Sequence, residues 1–263
     1  MSTVAWAYRT GASMDEATLQ LATLEAAGRE AVGLLGISEE EGRATLWFTT
    51  RVGDLPLAGR WEPVDDRGWQ VAWREGLEPV VVGAVTITPP WRDPAGDLVV
   101  TVDPGQAFGT GHHETTTGCL AALQELPLTG RALLDVGTGS GVLAIAAALL
   151  GAAPVVAIDT DPQAAAAARS NAAANGAAVE VLDGSVEVVD GRTFDVVVAN
   201  LDTNTIVRLA PALVAATAAS GSLIVSGVSV DRLDEAAEAL RAAGVDARPR
   251  PGREWAVLVA QRA

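Results

Sequence analysis

Over its second half the chain alternates two hydrophobic periods. From about residue 115, "TTTGCLAALQEL" has helical spacing, "ALLDVG" is a short apolar run, "SGVLAIAAALLG" is helical and "APVVAID" is again an apolar run. The pattern continues with a helix from Asp161-Pro162 to Gly176, then with "VEVLDG", "FDVVVAN" and "GSLIVSGV" as strands. "TIVRLAPALVAATAA" and "DRLDEAAEALRAAG" are helical, the first with an interruption or restart predicted at Pro211. "VDARPRP" and "REWAVLVAQR" close the chain as a predicted hairpin. Continuous apolar strands separated by helices imply a parallel sheet covered on both faces, an α/β fold.

The first 66 residues follow a different pattern. "TVAWAYRT" alternates as a strand does. "MDEATLQLATLEAAG" has helical spacing, acidic residues at its start and Gly28 at its end. "AVGLLGIS" and "RATLWFTT" predict two further strands joined by an acidic turn. This order suggests a small α+β domain over residues 1–64. "DDRGWQVAWREG", 65–76, predicts an amphipathic connector helix carrying Trp69 and Trp73. The larger domain is then expected over 77–263. It opens with the β-rich "LEPVVVGAVTITPPW" and a proline-marked loop before "DLVVTVDPG".

Composition narrows the function classes. The 263 residues are 49% hydrophobic and 19% charged, which is the balance of a folded, soluble chain. The longest apolar stretch is broken by Gly151 and Pro154, and the N-terminus lacks a basic segment followed by an apolar one. Neither a membrane span nor a secretory signal is expected. Cys119 is the sole cysteine, so an intrachain disulfide is excluded and a cysteine zinc site disfavoured. These features suggest a cytoplasmic protein. The net charge of −15 argues against direct nucleic-acid binding; solubility is its plainer role, and it would also attract a basic partner. The chain has no lysine; its Ala-, Gly- and Val-rich composition points to compositional bias.

The chemistry is concentrated in four stretches. In "LLDVGTGSGVLAIA" a strand ends near Asp135, and Gly137, Gly139 and Gly141 precede a helix. Glycines there let a ligand approach the backbone at the carboxyl end of a parallel strand. An ordinary tight turn is the plainer alternative. A dinucleotide fingerprint would need glycine at position 142, which is valine. The G-x-G-x-G spacing behind an acidic residue favours S-adenosylmethionine over NAD. A Walker phosphate loop is excluded, since there is no lysine to build it. In "VVAIDTDP", Asp159 closes the next strand, where a carboxylate can accept both hydroxyls of a ribose. Helix capping is its alternative role, but Asp161 before Pro162 suits that better. Asp183, at the end of "VEVLDG", stands between an adenine contact and a turn residue.

In "FDVVVANLDTN", Asn200 ends the fourth strand of the repeat. Its amide oxygen could accept a hydrogen bond from an amine nucleophile and aim the amine's lone pair at a methyl group; a turn residue is the alternative. The fourth stretch, "DPGQAFGTGHHETTTG", holds both histidines of the chain, His112 and His113. Adjacent residues on a helix diverge, and no second His/Cys cluster completes a metal site. A general base remains open. Gly105, Gly109 and Gly111 fit a tight or mobile loop, and Thr115, Thr116 and Thr117 are placed to cap the following helix.

Taken in order, "DPGQAFGTGHHETT", "LLDVGTGSGVLAIAA", "AIDTDPQA", "NAAANG" and "VVANL" resemble the bacterial ribosomal protein L11 methyltransferase family. The resemblance spans essentially the whole chain, and "FGTGHHETT" is its most specific part. It implies a class I, seven-stranded Rossmann-like methyltransferase domain with an antiparallel strand from 254–261. It also implies a small N-terminal substrate-recognition domain on a flexible linker. By position, cofactor contacts fall on Thr116, Gly137, Asp159 and Asn200. The glycines 139 and 141, Asp183, and the loop residues Phe108, Gly109 and Thr110 are further candidates. Asn200 is the candidate catalytic residue.

The implied reaction transfers methyl groups from S-adenosylmethionine to lysine ε-amines and the α-amine of a ribosomal protein at the large-subunit stalk base. Another protein or a small amine is the alternative acceptor. No metal, no membrane and a monomeric state are expected. The family commonly has an apolar or tyrosyl residue where this chain has Asp202. That carboxylate could bind a cationic amine or face solvent.

Overall fold

The computed structural model describes residues 4–13, 16–17, 34–40, 42–48, 50–53, 55, 57–65, 78–93, 96–103, 111 and 113–263. The chain divides into two compact units, Met1–Leu77 and Glu78–Ala263. Most of the helix predicted over 14–28, and all but Asp65 of the connector helix predicted over 65–76, lie outside the described residues.

The first unit contains β1 (Val4–Thr10), β2 (Leu34–Glu40), β3 (Arg43–Phe48) and β4 (Gly59–Asp65) in an antiparallel sheet of order β2-β3-β1-β4. The strand β4 went unrecognised in the sequence because Pro63 and flanking charges interrupt its alternation. It pairs with β1 along its full length, from Val4 opposite Asp65 to Thr10 opposite Gly59. Asp65 thus ends a strand instead of starting a helix. One face of the sheet buries Tyr8, Leu46 and Phe48, and the Tyr8 hydroxyl donates to the Leu57 carbonyl at 2.7 Å.

The second unit opens with a three-stranded sheet of β5 (Val80–Val82), β6 (Val85–Thr88) and β7 (Leu98–Thr101). Helix α1 (Glu114–Gln124) packs beside it. Gln124 fixes the β5–β6 turn, accepting from Ala84 N at 2.8 Å and donating to Val82 O at 2.9 Å. Five further strands then run parallel: β8 (Leu133–Val136), β9 (Val155–Asp159), β10 (Val179–Asp183), β11 (Phe194–Asn200) and β12 (Thr217–Ser229). The helices between them are α2 (Val142–Leu149), α3 (Pro162–Ala174) and α4 (Thr203–Ala216), with α5 (Leu233–Ala242) after β12.

The final hairpin, β13 (Ala247–Pro251) and β14 (Trp255–Gln261), completes a seven-stranded sheet of order β10-β9-β8-β11-β12-β14-β13. The last strand in sequence is therefore not at the sheet edge. It inserts antiparallel beside β12, with Ile224 opposite Val259, and β13 takes the edge.

Alternation along the strands fills two cores. Leu133, Val196, Val198 and Ile224 face α1, α2 and α3. Leu134, Val197, Ala199, Leu223 and Val225 face α4 and α5. Both faces are covered, so the strands carry no polar alternation. Pro211 does not interrupt α4, which runs unbroken from Thr203 to Ala216. A proline removes one backbone donor, but Ile206, Leu209, Ala210 and Leu213 bury a continuous face that holds the helix in place.

Candidate active site

The chain leaves β8 outward to β9 and β10, then returns to β11 on the other flank of β8. At such a reversal the connections diverge and leave a crevice outside the carboxyl ends of the strands. A cavity of about 740 Å³ lies there, and the ends of β8, β9, β10 and β11 line it through Gly137, Asp159, Gly184 and Asn200. The size is that of a small-molecule site.

The glycine turn is shaped by sterics. Gly137, Gly139 and Gly141 all have positive φ, of 71°, 55° and 86°. At 137 the left-handed backbone favours glycine, and an added methyl group would displace the Leu201 side chain packed against it. Gly137 N and Thr138 N both donate to Ile158 O, at 2.9 and 3.0 Å, which pins the turn to the end of β9. Gly137 and Gly139 line the cavity. Gly141 instead serves as the N-cap of α2 and packs toward Ala168.

Asp159 bridges the turn and the next loop. Its Oδ2 accepts from Gly139 N at 2.9 Å and its Oδ1 from Asp161 N at 3.0 Å. An ionised carboxylate has about four lone-pair sites, so acceptor capacity remains for a ligand. Asp161 caps α3, accepting from Gln163 N at 2.8 Å with Pro162 in the first turn. Asp183 does not line the cavity; it pairs with Arg169 at 3.0 Å on the surface, and the adjoining Gly184 and Ser185 line the cavity instead.

The opposite wall is the start of α1. His113 is the N-cap of this helix, with Nδ1 accepting from Thr115 N at 3.3 Å. The expected threonine caps are corrected accordingly: Thr115, Thr116 and Thr117 lie inside the first turn, the first two buried. Thr116 reaches the cavity and accepts from Asn200 Nδ2 at 3.3 Å. That bond orients the amide and leaves Oδ1 as an acceptor. Phe108, Gly109, Thr110 and His112, like Gly105, lie outside the described residues. No cluster of three or more His, Cys, Asp or Glu among the described residues is arranged to hold a metal ion.

Asp202 has a structural duty that neither sequence alternative anticipated. It lines the cavity, yet its Oδ1 caps α4 by accepting from Thr205 N at 3.1 Å. Hydrogen bonding from Thr205 holds its carboxyl below the usual range, so it is ionised near neutral pH. Asp135, one residue before the end of β8, is 1% exposed. Its Oδ2 accepts from Thr138 Oγ1 at 2.7 Å and Ala144 N at 3.2 Å, while Oδ1 has no protein partner. Burial pushes its pKa up to about 6.

Sequence reasoning did not assign Leu201, Arg208, Gly227 or Trp255 to the site, though all four line it. Trp255 lies in the "EWAVLVA" stretch and packs on His113 with ring centroids 5.4 Å apart. Arg208 has no motif around it. Gly227 is marked only by a tertiary contact, since a methyl group there would clash with the Leu201 carbonyl.

A solved structure of a ribosomal protein L11 methylase from Lactobacillus delbrueckii subsp. bulgaricus superposes with a TM-score of 0.66 at 30% identity. The match covers 71% of this chain and 99% of that one. Strand order, inserted antiparallel strand and cleft together define a class I, Rossmann-type methyltransferase. The family model for ribosomal protein L11 methyltransferase (PrmA) matches residues 34–263. The ribosomal protein L11 methyltransferase of Deinococcus radiodurans is 38% identical over 250 residues, covering 88% of this chain and 91% of that protein. The one from Thermus thermophilus is 40% identical over 214 residues, covering 81% and 84%. The chain belongs to the ribosomal protein L11 methyltransferase family.

Proposed function

We propose that this enzyme transfers methyl groups from S-adenosylmethionine to amines of ribosomal protein L11, both lysine ε-amines and the N-terminal α-amine. The observation that carries this reading is the convergence of Gly137, Asp159, Thr116 and Asn200 on one cavity in a chain of this family. The residues fit the cofactor. Gly137 presents bare backbone to the cavity, and Asp159 retains acceptor sites for ribose hydroxyls. Gly184 and Ser185, beyond Asp183, line the same cavity and would be available to hold the cofactor.

When bound, S-adenosylmethionine supplies a methyl group on a sulfonium that departs as a neutral thioether. The protein's part is positioning and exclusion of water. Asn200 Oδ1 accepts from the acceptor amine and directs its lone pair, with the amide plane held by Thr116. A free lysine ammonium has a pKa of about 10.4 and no lone pair. Entry into the cavity mouth lowers that value, and the proton leaves to solvent. The net charge of −15 complements a basic ribosomal protein and favours encounter. The N-terminal residues 1–65 supply substrate recognition, and 66–76 the linker to the catalytic domain, 77–263. The setting is the cytoplasm. No helix among the described residues is long and apolar enough to cross a membrane.

The test is to incubate purified enzyme with S-adenosylmethionine and recombinant L11 from the same organism and read intact mass. Mass gains in methyl-sized steps, absent with Asp159→Ala, are expected. No gain despite measured cofactor binding would overturn the L11 assignment and move it to another amine.

A further inference from the structure

Two asparagines in "NAAANG" take no part in the reading above. Asn171 lies in the last turn of α3, and Asn175, one turn on, is its C-cap. Asn175 Oδ1 accepts from Thr101 N at 2.8 Å, and its Nδ2 donates to Thr101 O at 2.6 Å. Asn171 repeats the arrangement two residues on: Oδ1 accepts from Asp103 N at 3.1 Å, and Nδ2 donates to Asp103 O at 3.4 Å. Thr101 ends β7, which is an edge strand of its sheet. Each amide therefore offers this edge the donor–acceptor pair that a neighbouring strand would offer. The spacing permits it: four helical residues rise about 6 Å, and two strand residues about 6.6 Å. An N-x-x-x-N pair on a helix can therefore serve positions i and i+2 of a strand.

The two amides differ in their remaining donor. Asn175 Nδ2 also donates to Asn171 O at 2.7 Å, within its own helix. Asn171 Nδ2 instead donates to Ser140 O at 2.8 Å, in the glycine turn, and Asn171 is 5% exposed. One buried amide thus touches both Asp103, two residues beyond β7, and the turn at Ser140. Along the chain, Asp103 leads to the His113–Thr116 wall of the cavity, and Ser140 follows the Gly137–Gly139 wall.

We propose that Asn171 is a positioning residue for methyl transfer, which sets the glycine turn in register with the strand end that leads to the α1 wall. Asn175 anchors β7 alone. The inference rests on the cofactor reading for its functional consequence, but not for its geometry.

The experiment compares full-length wild type, Asn171→Ala and Asn175→Ala. Cofactor affinity is measured by titration calorimetry, kcat and KM by turnover, and backbone amide exchange by mass spectrometry. Both variants are expected to lower Tm and raise exchange at 101–103. Only Asn171→Ala should raise exchange at 139–141 and weaken S-adenosylmethionine binding, by about tenfold, the scale of one or two lost hydrogen bonds. Asn171→Ser carries the same comparison if Asn171→Ala does not fold. Equal cofactor effects in both variants, or unchanged exchange at 139–141 in the Asn171 variant, overturn the proposal. If wild type binds no S-adenosylmethionine, the cofactor reading falls, and the exchange comparison still decides the role of Asn171.

Discussion

Asn200 at the end of β11 donates its side-chain N–H to the hydroxyl of Thr116 in the first turn of α1, 84 positions earlier, at 3.3 Å. This bond joins the two halves of the cleft across the sheet. It also leaves the oxygen of the Asn200 amide as the end that can accept a further hydrogen bond.

Replacing Asn200 by alanine should lower kcat on the order of 10²-fold, the penalty of a lost orienting contact. Cofactor affinity should change far less, because Asp159 and the glycine turn are untouched. Steady-state kinetics beside calorimetric binding separate the two effects; an equal loss in both would assign Asn200 to cofactor binding alone.

Gly137→Ala should both destabilise the fold and abolish cofactor binding. The backbone there has a φ of 71°, and the added methyl would displace the Leu201 side chain. Left-handed backbone alone costs about 1–2 kcal/mol for a non-glycine residue. Urea denaturation and binding titration read the two losses. A variant as stable and as competent as wild type would contradict the close packing of Leu201.

Asp135 predicts a pH dependence of stability. Its folded pKa is about 6 against an ordinary 3.8, because burial disfavours the charged form and Asp159 nearby adds repulsion. The native state therefore holds this proton more tightly than the unfolded chain does. Its contribution to stability is full below about pH 4 and declines as pH rises through 6. The shift corresponds to roughly 3 kcal/mol at most. Asp135→Asn, which cannot ionise, should lack this decline. The stability difference between variant and wild type, measured by denaturation from pH 4 to 8, should move in favour of the variant as pH rises. A difference independent of pH would show that Asp135 is not protonated in the fold.

Glu114 should show the opposite sign. Its Oε1 accepts from Arg253 N at 2.6 Å and its Oε2 from Glu254 N at 3.3 Å, tying α1 to the β13–β14 turn beside Trp255. The bond from Arg253 holds its pKa below the ordinary 4.5. The stabilisation is present above pH 4.5 and is lost as pH falls through the lowered value. Glu114→Gln should lower Tm by a few degrees at pH 7, with the gap closing in acid. A gap that persists unchanged at low pH would mean that the bonds do not depend on the charge.

Most of the second unit was legible because each element announces itself locally. Asp161-Pro162 marks the start of α3, and the glycine run between β8 and α2 marks a turn that side chains would obstruct. The limits are equally specific. Pro63 hid β4, whose strand character comes from pairing with β1. Pro211 suggested a break that the packing of α4 overrides. Asp202 carries no local signal of its role, which is to cap α4.

Hydrophobic period, proline and glycine act over a few positions, so local sequence specifies the alternating α/β order, the glycine turn and the residues at the strand ends. Tertiary structure decided which strand ends share a cavity, that β14 inserts beside β12, that Asp183 leaves the cavity for Arg169, and that Trp255 and Arg208 join it. Those outcomes depend on contacts between residues distant in sequence, where shape and burial, rather than local preference, select the partner.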